Sequence, residues 1–237
     1  MSPSPLRAVF FDVGNTLLYA EPSVSEVCRQ ILSRAGHERD LSLIDSFMPL
    51  VDAYYEERYA EDDAFWTDEE RTSSVWVGMY SLLCRKLGIE DEAVEIARQV
   101  YDEFGRADRW ALYDDVRRTF ARLQAAGLRV GIISNWDSRL VRLLNGLGLG
   151  DVIDDIVSSA DVGLHKPDPR IFALACDRLG VAPGEAAHVG DHHYADYLGA
   201  SALGMHAVLI DRHDVEADHG IVPIRSLDSL DDLLQLR

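Results

Sequence analysis

Arg7-Ala8-Val9-Phe10-Phe11-Asp12-Val13-Gly14-Asn15-Thr16 is the stretch on which the fold turns. Four apolar residues in a row fit a strand covered on both faces, as in a parallel sheet flanked by helices. The run ends on an acid, Asp12, and Val-Gly-Asn-Thr beyond it is turn chemistry. An acid there is either a helix cap or a catalytic carboxylate, and Asp12 alone leaves both open.

Beyond this stretch the pattern changes. Over residues 21–108 apolar positions recur at helical spacing and β-branched runs are absent. Helices are expected over 25–35, 41–59, 67–87 and 91–104, the third opened by a capping box at Thr67-Asp68-Glu69-Glu70. From about Trp110 strands and helices alternate. Strands are expected at 129–134, 155–158, 187–190 and 206–210. Helices are expected at 115–126, at 137–147 with Asp137 as its cap, at 167–179 opened by Pro167, at 195–203, and at 227–236. Such alternation implies a parallel, doubly wound sheet. The plan is therefore a discontinuous α/β core, residues 1–18 and 109–237, with an all-helical cap inserted at 19–108. In open α/β sheets the site lies at the carboxyl ends of the strands. That rule selects Asp12, Ser134 and Asp191.

Bulk composition narrows the function. The chain has 237 residues and a formal net charge of −18, from 41 acidic and 23 basic residues. So acidic a surface repels polyanions, which argues against nucleic acid or an anionic membrane as partner. An anionic substrate would need a local cation. Three scattered cysteines, Cys28, Cys84 and Cys176, form no CxxC pair and suggest free thiols in a reducing compartment. Met-Ser-Pro-Ser-Pro lacks the features of a signal peptide, and no apolar run approaches the ~18 residues of a membrane span. A cytoplasmic location is the expectation; the oligomeric state is not legible.

Four segments carry the chemistry. Asp12 ends one strand, and Ser134-Asn135, a hydroxyl and an amide able to hydrogen-bond phosphate oxygens, end another. Lys166 sits in Lys-Pro-Asp-Pro, stiffened by two prolines. Gly190-Asp191 with Asp196 places two acids at a strand-to-helix junction, where they can hold a hard cation such as Mg²⁺. In this order, with a helical insert after the first segment, they resemble the haloacid dehalogenase superfamily, helical-cap subclass. In that family a strand ends Asp-x-Asp-x-Thr, a second ends in Ser or Thr, a Lys precedes a helix, and Gly-Asp is followed by another Asp. Finer details, Asn135-Trp136-Asp137, Lys166-Pro-Asp-Pro-Arg-Ile-Phe172 and Ala187-His-Val-Gly-Asp191, look like the branch called haloacid dehalogenase-like hydrolase domain-containing 3.

The resemblance implies a Rossmann-like three-layer α/β/α core with a parallel sheet and an inserted helical cap. It also implies a Mg²⁺-dependent phosphatase acting on a small phosphorylated metabolite. Asp12 would be the nucleophile, and Asp12, the Gly14 carbonyl and Asp191 would hold the metal. Lys166 would pair with Asp12 and phosphate. Ser134, Thr16 and Asn135 would bind phosphate oxygens, and Asp196 would orient Lys166 or metal-bound water. One position departs from the pattern. The family's second Asp, which protonates the leaving alcohol and later activates water, is Gly14 here. General acid–base help is worth about 10²–10⁴-fold, so slower phosphatase chemistry is expected. Glu21, His192 and His193 are candidate substitutes. Two other readings compete. One is a 2-haloacid dehalogenase, although that branch typically carries Tyr at the position of Gly14 and lacks the Gly-Asp acid. The other is a non-catalytic protein that holds a phosphorylated ligand. The cap aromatics Tyr54, Tyr55, Tyr59, Trp66 and Trp76 fit helical core packing and name no substrate.

Overall fold

The computed structural model describes residues 6–214 and 220–230. Five strands, β1 (Ala8–Phe11), β4 (Arg129–Ser134), β5 (Asp155–Ser158), β6 (Ala186–Gly190) and β7 (His206–Leu209), form one parallel sheet in the order β5-β4-β1-β6-β7. β1 is central, paired in parallel with β4 through Phe11↔Ile132 and with β6 through Phe11↔Val189.

The unbroken apolar run of β1 follows from this position. Val9 and Phe11 face a cluster built with α5 (Val116–Ala125) and α6 (Leu140–Gly146). Ala8 and Phe10 face a second cluster with α8 (Pro169–Leu179) and α9 (Gly199–Leu203). Successive side chains of a strand point to opposite faces, so a strand covered on both sides must be apolar at every position. Gly131 on β4 answers to the same packing, because a Cβ there would meet the Phe10 ring at 2.5 Å.

The stretch between β1 and β4 is mostly helical: α1 (Val24–Arg34), α2 (Leu41–Glu61), α3 (Glu69–Lys86) and α4 (Ala93–Glu103). It has its own buried cluster, with Val27, Ile31, Leu83, Ile96 and Val100 among its members. Where the chain enters and leaves this block, β2 (Leu18–Ala20) and β3 (Trp110–Leu112) pair antiparallel as a two-stranded ribbon. The sequence reading missed this ribbon. Each strand has three residues, too few for a period-2 signal, and their pairing spans about ninety residues of chain.

Several helix starts differ from expectation. Asp68, not Thr67, caps α3, accepting the Arg71 N–H at 2.9 Å; the Thr67 hydroxyl donates instead to the Ala64 carbonyl at 2.7 Å. α8 opens at Pro169 behind its cap Asp168, so Pro167 lies outside the helix. Asp137 does not cap α6; it turns locally onto the Arg139 N–H and binds that guanidinium and the Tyr101 hydroxyl. The helix expected at 195–203 begins earlier, as a π-helical turn over His193–Leu198. Of the last expected helix, Leu227–Ser229 is a 3₁₀ turn, and 231–236 lie outside the described residues. No helix among the described residues is long and apolar enough to cross a membrane.

Candidate active site

β1 delivers Asp12 and β4 delivers Ser134 to the same end of adjacent strands, while Asp191 follows the last residue of β6. The Ser134 hydroxyl donates to Asp12 Oδ1 at 2.9 Å. Lys166 is 2% exposed, and its Nζ donates to the same Oδ1 at 2.6 Å and to Asp196 Oδ1 at 2.5 Å. Both of these partners thus take Oδ1 and leave Oδ2 to neither, and Asp12 lines a cavity.

Asp196 is fully engaged. Its Oδ1 meets Lys166 Nζ and His188 Nε2 at 2.8 Å, and its Oδ2 accepts the His192 backbone N–H at 3.1 Å. The π-helical turn swings Asp196 back under β6, and Gly190 makes room for it. A Cβ on Gly190 would sit 2.2 Å from the Asp196 carboxyl carbon. Thr16 Oγ1 lies 3.4 Å from Asp191 Oδ1, a long contact to an acid.

Asn135 engages the main chain of Lys166. Its Oδ1 accepts the Lys166 backbone N–H at 2.7 Å and its Nδ2 donates to the Lys166 carbonyl at 3.0 Å. The amide clamps the lysine's main chain.

The three candidate replacements for the missing acid also separate. His192 lines the cavity, and its Nδ1 accepts the Ala195 N–H at 3.1 Å. His193 stacks on Tyr197 with ring centroids 5.9 Å apart. The Glu21 side chain is exposed, and its backbone N–H is tied to the Arg109 carbonyl.

Charge is concentrated here. Asp12, Asp191 and Asp196 each bring a carboxylate oxygen within 4.8 Å of the others. Burial, then the charges of Asp12 and Asp196, hold the Asp191 carboxyl well above the usual carboxylate range. Burial alone would depress the Lys166 ammonium, but Asp12 and Asp196 outweigh it and push it up. For Asp196, burial is overcome by Lys166 and His188, and its carboxyl falls below the usual range. Three carboxylates against one ammonium is a set that carboxylate-seeking cations fit.

Two supporting groups escaped the sequence reading. His188 is 1% exposed and braces Asp196 from behind; a lone polar residue inside Ala-Ala-His-Val-Gly was the available signal. Arg212 grips Asp115 through two nitrogens and donates to the Thr16 carbonyl at 2.7 Å, fixing the loop after Asp12. Nothing local in the sequence joins positions 16, 115 and 212.

A family model described as haloacid dehalogenase-like hydrolase matches residues 6–204. The chain belongs to the haloacid dehalogenase-like hydrolase family. It is 33% identical over 234 residues to haloacid dehalogenase-like hydrolase domain-containing protein 3 of Danio rerio, covering 97% of this chain and 95% of that one. It is 29% identical to (S)-2-haloacid dehalogenase 1 of Pseudomonas sp. (strain CBS-3), covering 98% and 96%. The crystal structure of a HAD phosphatase from Thermococcus onnurineus superposes with a TM-score of 0.67 at 25% identity, over 98% and 99% of the two chains. Relatives of both chemistries, phosphate and halide, therefore resemble this member of the haloacid dehalogenase-like hydrolases.

Proposed function

We propose that this chain is a Mg²⁺-dependent phosphatase in which Asp12 attacks phosphorus and carries the phosphoryl group. The observation behind this reading is the crowding of three carboxylates, with Asp191 repelled by Asp12 and Asp196 while Lys166 bonds to Asp12 and Asp196 rather than to Asp191. Asp12, Asp191 and the Gly14 carbonyl would hold the cation. When bound, it would shield the phosphate's charge from the acids and polarise a phosphoryl oxygen.

The chain's own residues supply the rest. Asp12 Oδ2 is the attacking atom, since Oδ1 is held by Ser134 and Lys166. Lys166, fixed at its main chain by Asn135 and at Nζ by Asp196, pairs with the phosphoryl oxygens and stays charged. Ser134 offers a hydroxyl beside the nucleophile. Asp196, saturated by Lys166, His188 and a backbone N–H, acts as a positioning residue. Residues 19–108 form the cap over a core of 1–18 and 109–237, and the β2–β3 ribbon is the joint on which the cap rides.

Displacement of halide by Asp12 would leave Asp191 without a task. A half-buried acid crowded by two others is costly to keep unless it holds something. Mg²⁺-dependent release of p-nitrophenol from p-nitrophenyl phosphate, lost in Asp12→Asn, is the expected result. Halide release from a 2-haloacid in the presence of a chelator, with no phosphate release, would overturn the reading.

A further inference from the structure

Asp12 lines a partly open cavity of about 570 Å³. Its floor is polar, with Asp12, Ser134, Lys166 and Asp191. Its walls are rich in aromatic rings, with Tyr55, Tyr59, Trp66 and Trp76 from the helical insert together with Trp110 and Trp136, beside the charged Glu56 and Arg139. The rings are ordered against one another: Tyr55 stacks on Trp76 at 5.9 Å and 28°, and Trp110 meets Trp136 edge-on at 5.4 Å. The Tyr59 hydroxyl is buried among these walls with no hydrogen-bond partner.

Gly14 joins floor to wall. A Cβ on Gly14 would touch Trp136 at an ordinary 3.7 Å, so Gly14 lies beside the Trp136 ring on the cavity that both line, and no side chain projects from it into that cavity. The residue that removes the general acid also opens the place where a leaving group would lie. A leaving group that needs no proton, and a chamber that favours flat rings, point to the same chemistry. A phenol loses its proton near pH 10 and departs unaided far more readily than an aliphatic alcohol. Aromatic rings prefer the offset and edge-on contacts such walls offer.

We infer that this site takes phosphate esters of phenols, with the ring seated beside Gly14 against Trp136; this rests on the phosphatase reading of the floor. Asp12 Oδ2 forms a bond to phosphorus as the bond from phosphorus to the aryl oxygen breaks, and its electron pair leaves on the phenolate. Water then attacks the phosphorus of the aspartyl-phosphate. The bond from phosphorus to the Asp12 oxygen breaks, the carboxylate returns, inorganic phosphate departs, and the phenolate takes up a proton from solvent.

Calorimetric titration of the whole chain with methyl-, cyclohexyl- and phenylphosphonate, in Mg²⁺, separates ring recognition from chemistry because none is hydrolysed. Phenylphosphonate is expected to bind at least about tenfold more tightly than methylphosphonate and about threefold more tightly than the cyclohexyl compound. The ratio of phenyl to methyl affinity is expected to fall in Trp136→Leu; if that variant does not fold, the comparison on the unaltered chain stands alone. Equal affinities, a preference for cyclohexyl, or no binding of phenylphosphonate would overturn the inference. Hydrolysis of acetyl phosphate, a good leaving group without a ring, decides the phosphatase reading independently.

Discussion

Replacing Gly14 with Asp restores the carboxyl that the family pattern carries two residues after the nucleophile. The backbone accepts it, because Gly14 is not among the glycines with positive φ and its Cβ would make one ordinary contact, to Trp136 at 3.7 Å. The new side chain leaves the floor beside Asp12 and enters the space next to Trp136. An alkyl phosphate needs its leaving oxygen protonated, so the variant should hydrolyse one about 10²-fold faster, at the low end of general-acid help. That is about 2.7 kcal/mol of transition-state stabilisation. An aryl phosphate gains little from the acid and loses room against Trp136, so its kcat/KM should stay level or fall. The assay is phosphate release from ethyl phosphate and phenyl phosphate by both proteins in Mg²⁺. An alkyl rate that does not move in a folded Gly14→Asp protein, or an aryl rate that rises as much as the alkyl rate, would refute the reasoning.

Other consequences follow from the same contacts. Lys166→Met leaves Asp12 and Asp196 buried without their shared cation, and breaking such a pair costs about 3–5 kcal/mol in urea denaturation; a loss below about 1 kcal/mol would contradict the charge accounting. Asn135→Ala removes two hydrogen bonds to the Lys166 main chain, each worth about 0.5–1.5 kcal/mol, so kcat should drop about tenfold. KM should hardly change; a rise in KM at constant kcat would place Asn135 on the substrate instead. In a chelator, the raised Asp191 carboxyl binds its proton more tightly in the folded chain than in the unfolded one. Its contribution to stability is therefore complete below the unfolded value near 3.9 and is lost as pH rises through the raised folded value. Relative to Asp191→Asn, the metal-free chain should lose melting temperature as pH rises across that window, and Mg²⁺ should abolish the difference. A constant difference across pH would count against it.

The sheet was legible because its strands are buried on both faces. Ala8–Phe11 and Arg129–Ser134 read as apolar runs without any tertiary information. Asp12, Ser134, Lys166 and Asp191 were legible because each sits at a strand end or a proline-stiffened turn, Asp196 because it follows Asp191 by five residues, and the structure brings all five together. What escaped depends on contacts distant in sequence. The β2–β3 ribbon, the clamp of Asn135 on Lys166, and the bracing of Thr16 by Arg212 and Asp115 leave no periodic trace. Asp137 misled for another reason. It sits where a helix cap belongs, but its carboxylate is claimed by Arg139 and Tyr101. The aromatics of the helical insert read as helical core, and Tyr55 and Trp76 do pack against the insert's buried cluster. Only the fold shows that they also wall the cavity that Asp12 lines.

With no acid at position 14 to activate water, the second half of the reaction should be the slow one whenever the leaving group is good. Phosphorylated protein should then accumulate. The most direct measurement is acid quenching during turnover of p-nitrophenyl phosphate in Mg²⁺, followed by mass spectrometry of the peptide containing Asp12. A near-stoichiometric phosphoryl adduct on Asp12, labile to hydroxylamine and absent from Asp12→Asn, is the result this account predicts. Turnover with no adduct, or an adduct on another residue that persists in Asp12→Asn, would contradict it.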